Sequence, residues 1–423
     1  MVDIKVLAGK NEIGGTFIRL KDKDRVLILD QGFRFNAFNN YFGTYMQPRG
    51  LDELRSFGVL PAPEWYENAT AIYISHLHLD HLGSLANIPI ATTVHLPSKR
   101  LYEKMEQRWE RSPSWMGTVM GSGYLTEIKE LKAHERTDED VEAIPVYHSA
   151  YPAYSFLFYG SDETVLYTGD FRLDTFFEGE VREELCPSPL LEHLENNNDV
   201  KIDTLIMEGT NFGRSYTPIS ATESIAIIRR MLESDLLAIM AVNEQEIDFF
   251  WRFVRLATEL KKTVVVSSER VARFLETYAL MNDQLKAEIS QHVKILNTVK
   301  SPVLLEKVDP EDVRGLENSV YVVSAKSLVD DIRELDVHHL LRIGLAGITE
   351  SEPANEEGAI LFGRVLRWLG LFGLTPTRIR VSGHLHPHEL KRVLSTVKPR
   401  KIMPVHTLHP SLLIQLAGDY EVS

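Results

Sequence analysis

The sequence predicts an α/β protein built from two kinds of sheet. Three observations point there. Apolar runs end in acids, as in Val26-Leu27-Ile28-Leu29-Asp30, Val165-Leu166-Tyr167-Thr168-Gly169-Asp170 and Leu205-Ile206-Met207-Glu208. From Thr210 the texture changes to strand–helix alternation. Buried-strand runs at 236–240, 263–266 and 319–323 are separated by amphipathic stretches such as 246–261, the pattern of a parallel-sheet module. After about Leu374 the first texture returns, in Arg378-Ile379-Arg380-Val381-Ser382-Gly383-His384 and Lys401-Ile402-Met403-Pro404-Val405-His406. The expected organisation is one domain over 1–209 and 375–423, interrupted by an inserted α/β domain over 210–374.

Each element follows from its residues. Val6-Leu7-Ala8-Gly9 and Thr16-Phe17-Ile18-Arg19-Leu20 precede the polar turn Lys21-Asp22-Lys23-Asp24 and read as a hairpin region. The next strand delivers Asp30 to its end. Residues 35–61 are aromatic, Asn-rich and turn-rich, and read as an ordered insertion near the active face. Residues 99–109 have helical composition, and 186–200 read as a polar, Asn-rich connection.

Composition limits the function classes. A chain of 423 residues, 44% hydrophobic, is long enough for two to three domains with sizeable cores. Met1-Val2-Asp3-Ile4-Lys5 is followed by no apolar run of signal-peptide type. No run approaches a membrane span. The single Cys186 excludes an internal disulfide, so a reducing cytoplasm is the expected compartment. A net charge of −14 argues against indiscriminate nucleic-acid binding, which needs a broad basic face. A local basic groove remains compatible with it, and bound metals would add positive charge. Arg229, Arg230, Arg252, Arg255, Lys261, Lys262, Lys398 and Arg400 read as solvated helix faces. Arg378, Arg380 and Lys401 lead toward histidines and are better candidates for a nucleic-acid groove.

The densest chemistry is Ser75-His76-Leu77-His78-Leu79-Asp80-His81, directly after the strand-like Ala71-Ile72-Tyr73-Ile74. A lone histidine is usually a satisfied core or surface residue. Three histidines and an aspartate within six positions are not explained that way, even in a chain with 15 His. Strand alternation would point His76 and His78 the same way, and a turn into a helix N-terminus would swing Asp80 and His81 to a neighbouring position. Two adjacent ligand sets suggest two metals. Imidazole and carboxylate suit zinc, with manganese or iron as competitors. Asp30, His148, Asp170, Glu208, His384 and His406 also sit at expected strand ends, which converge on one edge in layered folds. His386, His388 and His409 read as surface residues.

With these motifs in order, the chain resembles the metallo-β-lactamase superfamily and, within it, the β-CASP nucleases, most nearly those of ribonuclease J type and their archaeal relatives. Gly9-Lys10-Asn11-Glu12-Ile13-Gly14-Gly15 is similar to that family's first hairpin. Asp30, His76-x-His78-x-Asp80-His81, His148 and Asp170 match its four hydrolase motifs. Glu208, His384 and His406 match the three motifs of the nuclease branch. The resemblance implies a four-layer αββα sandwich carrying a β-CASP insertion. It implies a zinc-dependent ribonuclease, exo- or endonucleolytic, that cleaves RNA phosphodiester bonds with a metal-bridging hydroxide. His76, His78 and His148 would hold one Zn2+, and Asp80, His81 and His406 the other, with Asp170 bridging and Mn2+ as the alternative metal. Asp80, Asp170, Glu208 and His384 would be catalytic. Asp30 would orient a ligand histidine, and His384, oriented by Glu208, would bind the scissile phosphate and assist the leaving oxygen.

His406 tilts the resemblance toward single-stranded RNA, because the family's DNA-repair branch typically has an apolar residue there. Ser324, Lys326, Ser382 and Arg378 are the expected substrate contacts. The stretch Ser324-Ala325-Lys326-Ser327 lacks the glycines usual in ribonuclease J, and Tyr41–Arg49 is a further departure. DNA or a non-nucleic-acid ester is therefore the alternative substrate. A scaffold subunit that has lost its metals is disfavoured, because every expected ligand is present. No membrane partner is expected, and homodimerisation is left open.

Overall fold

The structure is a computed structural model describing residues 2–43, 46–110, 126–197, 199–214, 219–300, 305–314, 318–349, 356–418 and 420–422. It divides into two compact units. Residues 1–173, 186–215 and 383–423 form the first, and 174–185 with 216–382 the second.

The first unit is built on two six-stranded sheets. One contains, in spatial order, β1 (Asp3–Ala8), β2 (Phe17–Asp22), β3 (Arg25–Gln31), β4 (Ala71–Tyr73), β5 (Thr93–Leu96) and β6 (Glu127–Glu130). Its first three strands form an antiparallel meander and the rest run parallel to β3. The other contains β7 (Val141–Val146), β8 (Ala153–Tyr159), β9 (Thr164–Tyr167), β10 (Thr204–Glu208), β18 (Lys401–Val405) and β19 (Glu421–Val422), ordered β19-β18-β10-β9-β8-β7.

Side-chain alternation explains the layering. Ile18, Leu20, Leu27, Leu29 and Tyr73 of the first sheet share one core with Ala143, Phe156, Val165, Tyr167, Ile206 and Val405 of the second. On the second sheet's other face, Ile144, Leu157, Leu166, Leu205 and Ile402 pack under the helices Leu190–Asn196, Leu390–Val397 and Pro410–Ala417. The outward residues Ile28, Ile72 and Val94 of the first sheet are also fully buried. Helices Leu79–Leu82 and Lys99–Glu110 contact that sheet at β3 and β6. The result is a helix–sheet–sheet–helix sandwich. Strands covered on both faces read as continuous apolar runs rather than alternating ones.

The second unit has one wholly parallel seven-stranded sheet, ordered β14-β13-β12-β15-β11-β16-β17. Its strands are β11 (Leu237–Val242), β12 (Thr263–Val266), β13 (Val293–Leu296), β14 (Lys307–Val308), β15 (Ser319–Ser324), β16 (Gly344–Ile348) and β17 (Leu374–Arg378). Its first helix, Ala221–Glu233, starts at a capping box in which Ser220 and Glu223 satisfy each other's backbone N–H groups.

Three local expectations change and one holds. The polar connection over 186–200 contains the helix Leu190–Asn196, whose Leu190, Leu191 and Leu194 are buried. The helix Ile247–Glu259 keeps the expected amphipathic pattern, burying Phe249, Phe250, Trp251, Phe253 and Leu256 with Arg252, Arg255 and Glu259 along its other side. The strand before His384 ends at Arg378 and is an edge of the parallel sheet, paired with β16. Residues 174–185 group with the second unit, where Thr175 Oγ1 and the Phe176 N–H donate to the buried Asp248 carboxylate at 2.9 and 3.1 Å. Among the described residues no helix is long and apolar enough to cross a membrane.

Candidate metal centre

Strand register brings the chelating residues to one edge. β3 and β4 are parallel with Leu29 opposite Tyr73, so Asp30 and Ser75 leave adjacent strands side by side. β9, β10 and β18 are parallel, with Ile206 opposite Tyr167 and Glu208 opposite Val405. Asp170, Glu208 and His406 therefore emerge together. β7 runs in the same direction as β9, since both are antiparallel to β8, and His148 follows its end.

The strand β4 stops at Tyr73, so alternation does not aim His76 and His78. They converge because the chain turns before the helix Leu79–Leu82, with His78 in extended conformation at its N-cap. Two glycines make room for the turn. A Cβ on Gly32 would lie 1.7 Å from the Asp80 carbonyl oxygen, and one on Gly14, where φ is +83°, would lie 2.8 Å from Asp80 Oδ2. Gly9 of the same loop accepts the His406 N–H at 2.6 Å.

Two donor groups result. His78 Nδ1 lies 3.1 Å from His76 Nε2 and 3.2 Å from His148 Nε2. Asp80 Oδ2 lies 3.3 Å from His406 Nε2 and 4.0 Å from His81 Nε2. Asp170 stands between them, its Oδ2 3.1 Å from His81 Nε2 and 3.9 Å from His76 Nε2. Each set gathers at least three donor atoms that could hold a metal ion.

The outward ring nitrogens fix the tautomers. His76 Nδ1 donates to Ser75 Oγ at 3.0 Å, His81 Nδ1 to Asp30 Oδ2 at 2.8 Å, His148 Nδ1 to the Gly383 carbonyl at 2.6 Å and His406 Nδ1 to Thr210 Oγ1 at 2.8 Å. In neutral rings each Nε2 then turns a lone pair inward. Lone pairs 3 Å apart repel unless a cation lies between them. A tetrahedral zinc with bonds of about 2.0–2.1 Å spaces its donors about 3.3 Å apart, close to the shorter separations here. His81 Nε2 and Asp170 Oδ1 are buried with no hydrogen-bond partner among the described residues, as expected of atoms reserved for a metal. The residues fit a binuclear site.

Asp30 is fully buried at φ +58°. Its carboxylate accepts the Ser75 N–H and hydroxyl, His81 Nδ1–H and the Tyr167 hydroxyl. Sequence reasoning had not marked Ser75, Tyr167, Thr210 or the Gly383 carbonyl as the groups orienting the rings. Ser75 and Thr210 are within the motifs themselves, and that adjacency was the available signal.

Before any metal binds, the field is uneven. Burial and the neighbouring imidazoles His81 and His148 hold His76 well below the usual imidazole range, and burial with His78 does the same to His148. Burial also works against His81 and His406. For His81 it is outweighed by Asp170 and Asp30, which hold it well above the usual range; for His406 Asp170 and Asp80 raise it. Burial opposes ionisation of Asp170 too, but His406, His81 and His384 outweigh it and keep the carboxylate ionised.

Beside this centre, His384 Nδ1 lies 3.5 Å from Glu208 Oε1 and 3.7 Å from Asp170 Oδ2. Glu208 is immobilised, with Oε1 accepting the Leu385 N–H at 2.9 Å and Oε2 the Thr210 N–H at 2.7 Å. His388 and His409 are exposed, as expected, while His386 is half-buried.

The expected substrate contacts Ser324, Lys326, Arg378 and Ser382 belong to the second unit. Ser324 Oγ donates to the buried Glu244 at 3.3 Å, and Lys326 Nζ lies 3.5 Å from the same carboxylate. The Arg378 guanidinium lies over the Phe362 ring at 4.7 Å, and Ser382 is buried. Basic residues read as solvated are partly engaged. Arg229 and Arg252 share Glu259, and Arg255 lies over Trp251. Of the aromatic stretch, Phe38, Phe42 and Phe57 pack together beside Tyr41; residues 44 and 45 lie outside the described residues.

Residues 67–193, which include the His76–His81 run, His148 and Asp170, match the family described as the metallo-beta-lactamase superfamily. The chain carries a metallo-β-lactamase domain. It is similar over most of its length to proteins named ribonuclease J. The one from Pyrococcus abyssi is 21% identical over 96% of this chain and 90% of its own. That from Mycobacterium tuberculosis is 22% identical over 95% and 68%, and that from Helicobacter pylori strain 26695 is 20% identical over 96% and 56%. A crystal structure of a protein of unknown function from Enterococcus faecalis shares the fold, with TM-score 0.69, 19% identity and coverage of 99% of this chain and 96% of that one. The metallo-β-lactamase domain and these relatives place this protein among the metal-dependent hydrolases, in keeping with the β-CASP nuclease branch.

Proposed function

We propose that this protein is a two-zinc ribonuclease that hydrolyses phosphodiester bonds of single-stranded RNA in the cytoplasm. One observation carries the reading. Four histidines are each bonded outward through Nδ1, to Ser75, Asp30, Gly383 and Thr210, so that their Nε2 atoms converge on Asp80, His78 and Asp170. His76, His78 and His148 would hold one ion, Asp80, His81 and His406 the other, and Asp170 would serve both. When bound, the ions supply Lewis acidity and a water acidified to near neutral pH.

The chain's own groups do the rest. Asp30, Ser75 and Thr210 hold the imidazoles at fixed angles, so the centre need not reorganise on reaching the transition state. His384, with a side chain 15% exposed, reaches the surface of the centre. Glu208 Oε1 and Asp170 Oδ2 lie beside its Nδ1. As an imidazolium it would bind a phosphate oxygen and give its proton to the departing 5′ or 3′ oxygen. Glu208, held by two backbone N–H groups, keeps the ring pointed rather than taking the proton itself. The ribonuclease J relatives support RNA as substrate, and so does His406 at the position where the resembling DNA-repair proteins typically carry an apolar residue.

A second reading, the same chemistry on DNA or a non-nucleic-acid ester, is favoured by the net charge of −14 and by the engagement of Lys326 with Glu244. Zinc-loaded protein incubated with 5′- and 3′-labelled RNA and DNA oligomers bearing different 5′ ends decides between them. RNA-specific product ladders, lost on chelation and in His76→Ala, are the expected result. Cleavage of RNA by a metal-free preparation would refute the proposal. Binding that is flat with salt would favour the non-nucleic-acid ester, since phosphate contacts to RNA or DNA alike weaken steeply as salt rises.

A further inference from the structure

We propose that His134, Glu142 and His193 form a separate divalent-cation site of zinc type. Glu142 lies near the start of β7 and His148 follows its end, so about 20 Å of strand, at about 3.3 Å per residue, separates this cluster from the centre described above. His193 comes from the helix Leu190–Asn196, and His134 from the segment between β6 and β7.

The donors converge on one oxygen. Glu142 Oε1 lies 3.2 Å from His193 Nε2 and 3.7 Å from His134 Nδ1, and the three ligand atoms all lie within 4.8 Å of one another. Each of two ligands is oriented from behind. His134 Nε2 donates to the Pro187 carbonyl at 2.9 Å, which leaves a lone pair on Nδ1 of the neutral ring. Tyr159 donates its hydroxyl to Glu142 Oε2 at 2.8 Å, which leaves Oε1 turned to both rings. An outer partner that sets the tautomer is the habit of metal-bound imidazole.

His134 Nδ1 is buried and has no hydrogen-bond partner among the described residues. At 3.7 Å it is too far from the carboxylate for an N–H···O bond. A lone pair facing an anionic oxygen at that distance is repulsive unless a positive charge lies between. Separations of 3.2 and 3.7 Å bracket the spacing of about 3.3 Å that a tetrahedral zinc imposes. Two imidazoles and a carboxylate suit zinc or cobalt. Side-chain exposures of 26% for His134 and 12% for each of the others leave a face open to a water as fourth ligand. An ion here would tie the helix Leu190–Asn196 to β7 and to the segment before it, so binding would add to stability.

The test uses the full chain with both sets of its main centre disabled by His76→Ala, His81→Ala and Asp170→Ala, stripped with chelator and given zinc chloride alone. Mass spectrometry should find about one zinc retained at this site, and melting should move upward as zinc is added. Adding His193→Gln should abolish both effects while a cooperative melt persists. If the triply substituted chain does not fold, the comparison is made on the wild type, where His193→Gln should lower bound zinc by about one per chain and remove its share of the cobalt visible spectrum. Unchanged zinc content in His193→Gln, or no zinc and no melting shift in the disabled chain, would overturn the site in favour of a plain ion-pair brace.

Discussion

Each unit buries a carboxylate among cationic partners, and the two are neutralised in different ways. In the second unit Glu244 is fully buried, with Arg270 at 3.4 Å, Lys326 at 3.5 Å and the Ser324 hydroxyl at 3.3 Å. Permanent cations compensate it, and the cluster is complete as the chain folds. In the first unit, among the described residues, the ion-pair partners of Asp170 are the imidazoles of His81, His406, His384 and His76. His76, His81 and His406 are bonded outward through Nδ1, which turns their Nε2 atoms toward the centre. Its compensation must come from protons or from metal. The same burial thus yields a closed structural knot in one unit and, in the other, a cluster whose charge is balanced by protons or by metal. Lys326 is part of that knot, its charge already facing Glu244.

Five outcomes would break or sharpen this contrast. Asp170→Ala should drop bound zinc below about two per chain and lower RNA hydrolysis on the order of a thousandfold or more, the scale of losing preorganised charge; metal analysis and a cleavage assay check both. His384→Ala should cost about 10²–10⁴ in kcat while zinc content stays at the wild-type value, which separates proton handling from metal binding. A parallel loss of zinc would merge the two roles. Thr210→Val and Asp30→Asn should weaken zinc binding by about 10–100-fold each, as read by competition with a chromophoric chelator.

The fourth outcome concerns pH. His81 and His406 titrate above the usual imidazole range in the metal-free chain, because Asp170 with Asp30 or Asp80 outweighs burial. Below those values zinc must displace their protons. Zinc affinity should therefore rise with pH through the neutral range and fall on acidification, and zinc titrations at several pH values would show it. A pH-independent affinity would mean the rings are already neutral. The smallest effect is expected at the closed knot. Glu244→Gln should cost about 1–3 kcal/mol of stability in denaturant melts and leave zinc content unchanged. If zinc is lost, the two clusters are not independent.

Much of the centre was legible because chelation demands dense, unusual residues. The His76–His81 run could be read without the fold, and Asp30, Glu208 and His406 could be read as strand ends. What escaped was anything carried by geometry alone. His76 and His78 converge through a turn, so the strand-alternation argument reached the right pair by the wrong route. Val381 and Ser382 read as a strand leading to His384, yet the parallel sheet takes only the residues up to Arg378. The helix Leu190–Asn196 hid inside an Asn-rich stretch because its apolar side is just three leucines. The His134–Glu142–His193 cluster had no spacing to betray it, since its members come from three separate elements. The inserted parallel sheet was the easiest part, its Val-rich strands being buried on both faces.

The pairing of β18 with β10 has a consequence for synthesis. His406 leaves the end of β18 and approaches Asp80, its partner 326 positions earlier in the chain. A nascent polypeptide that has exposed the whole histidine run and the inserted domain still lacks His384, His406 and the strand that carries His406. Completion of the donor set therefore waits until β18 has been made, and a product ending before β18 would lack the imidazole that faces Asp80.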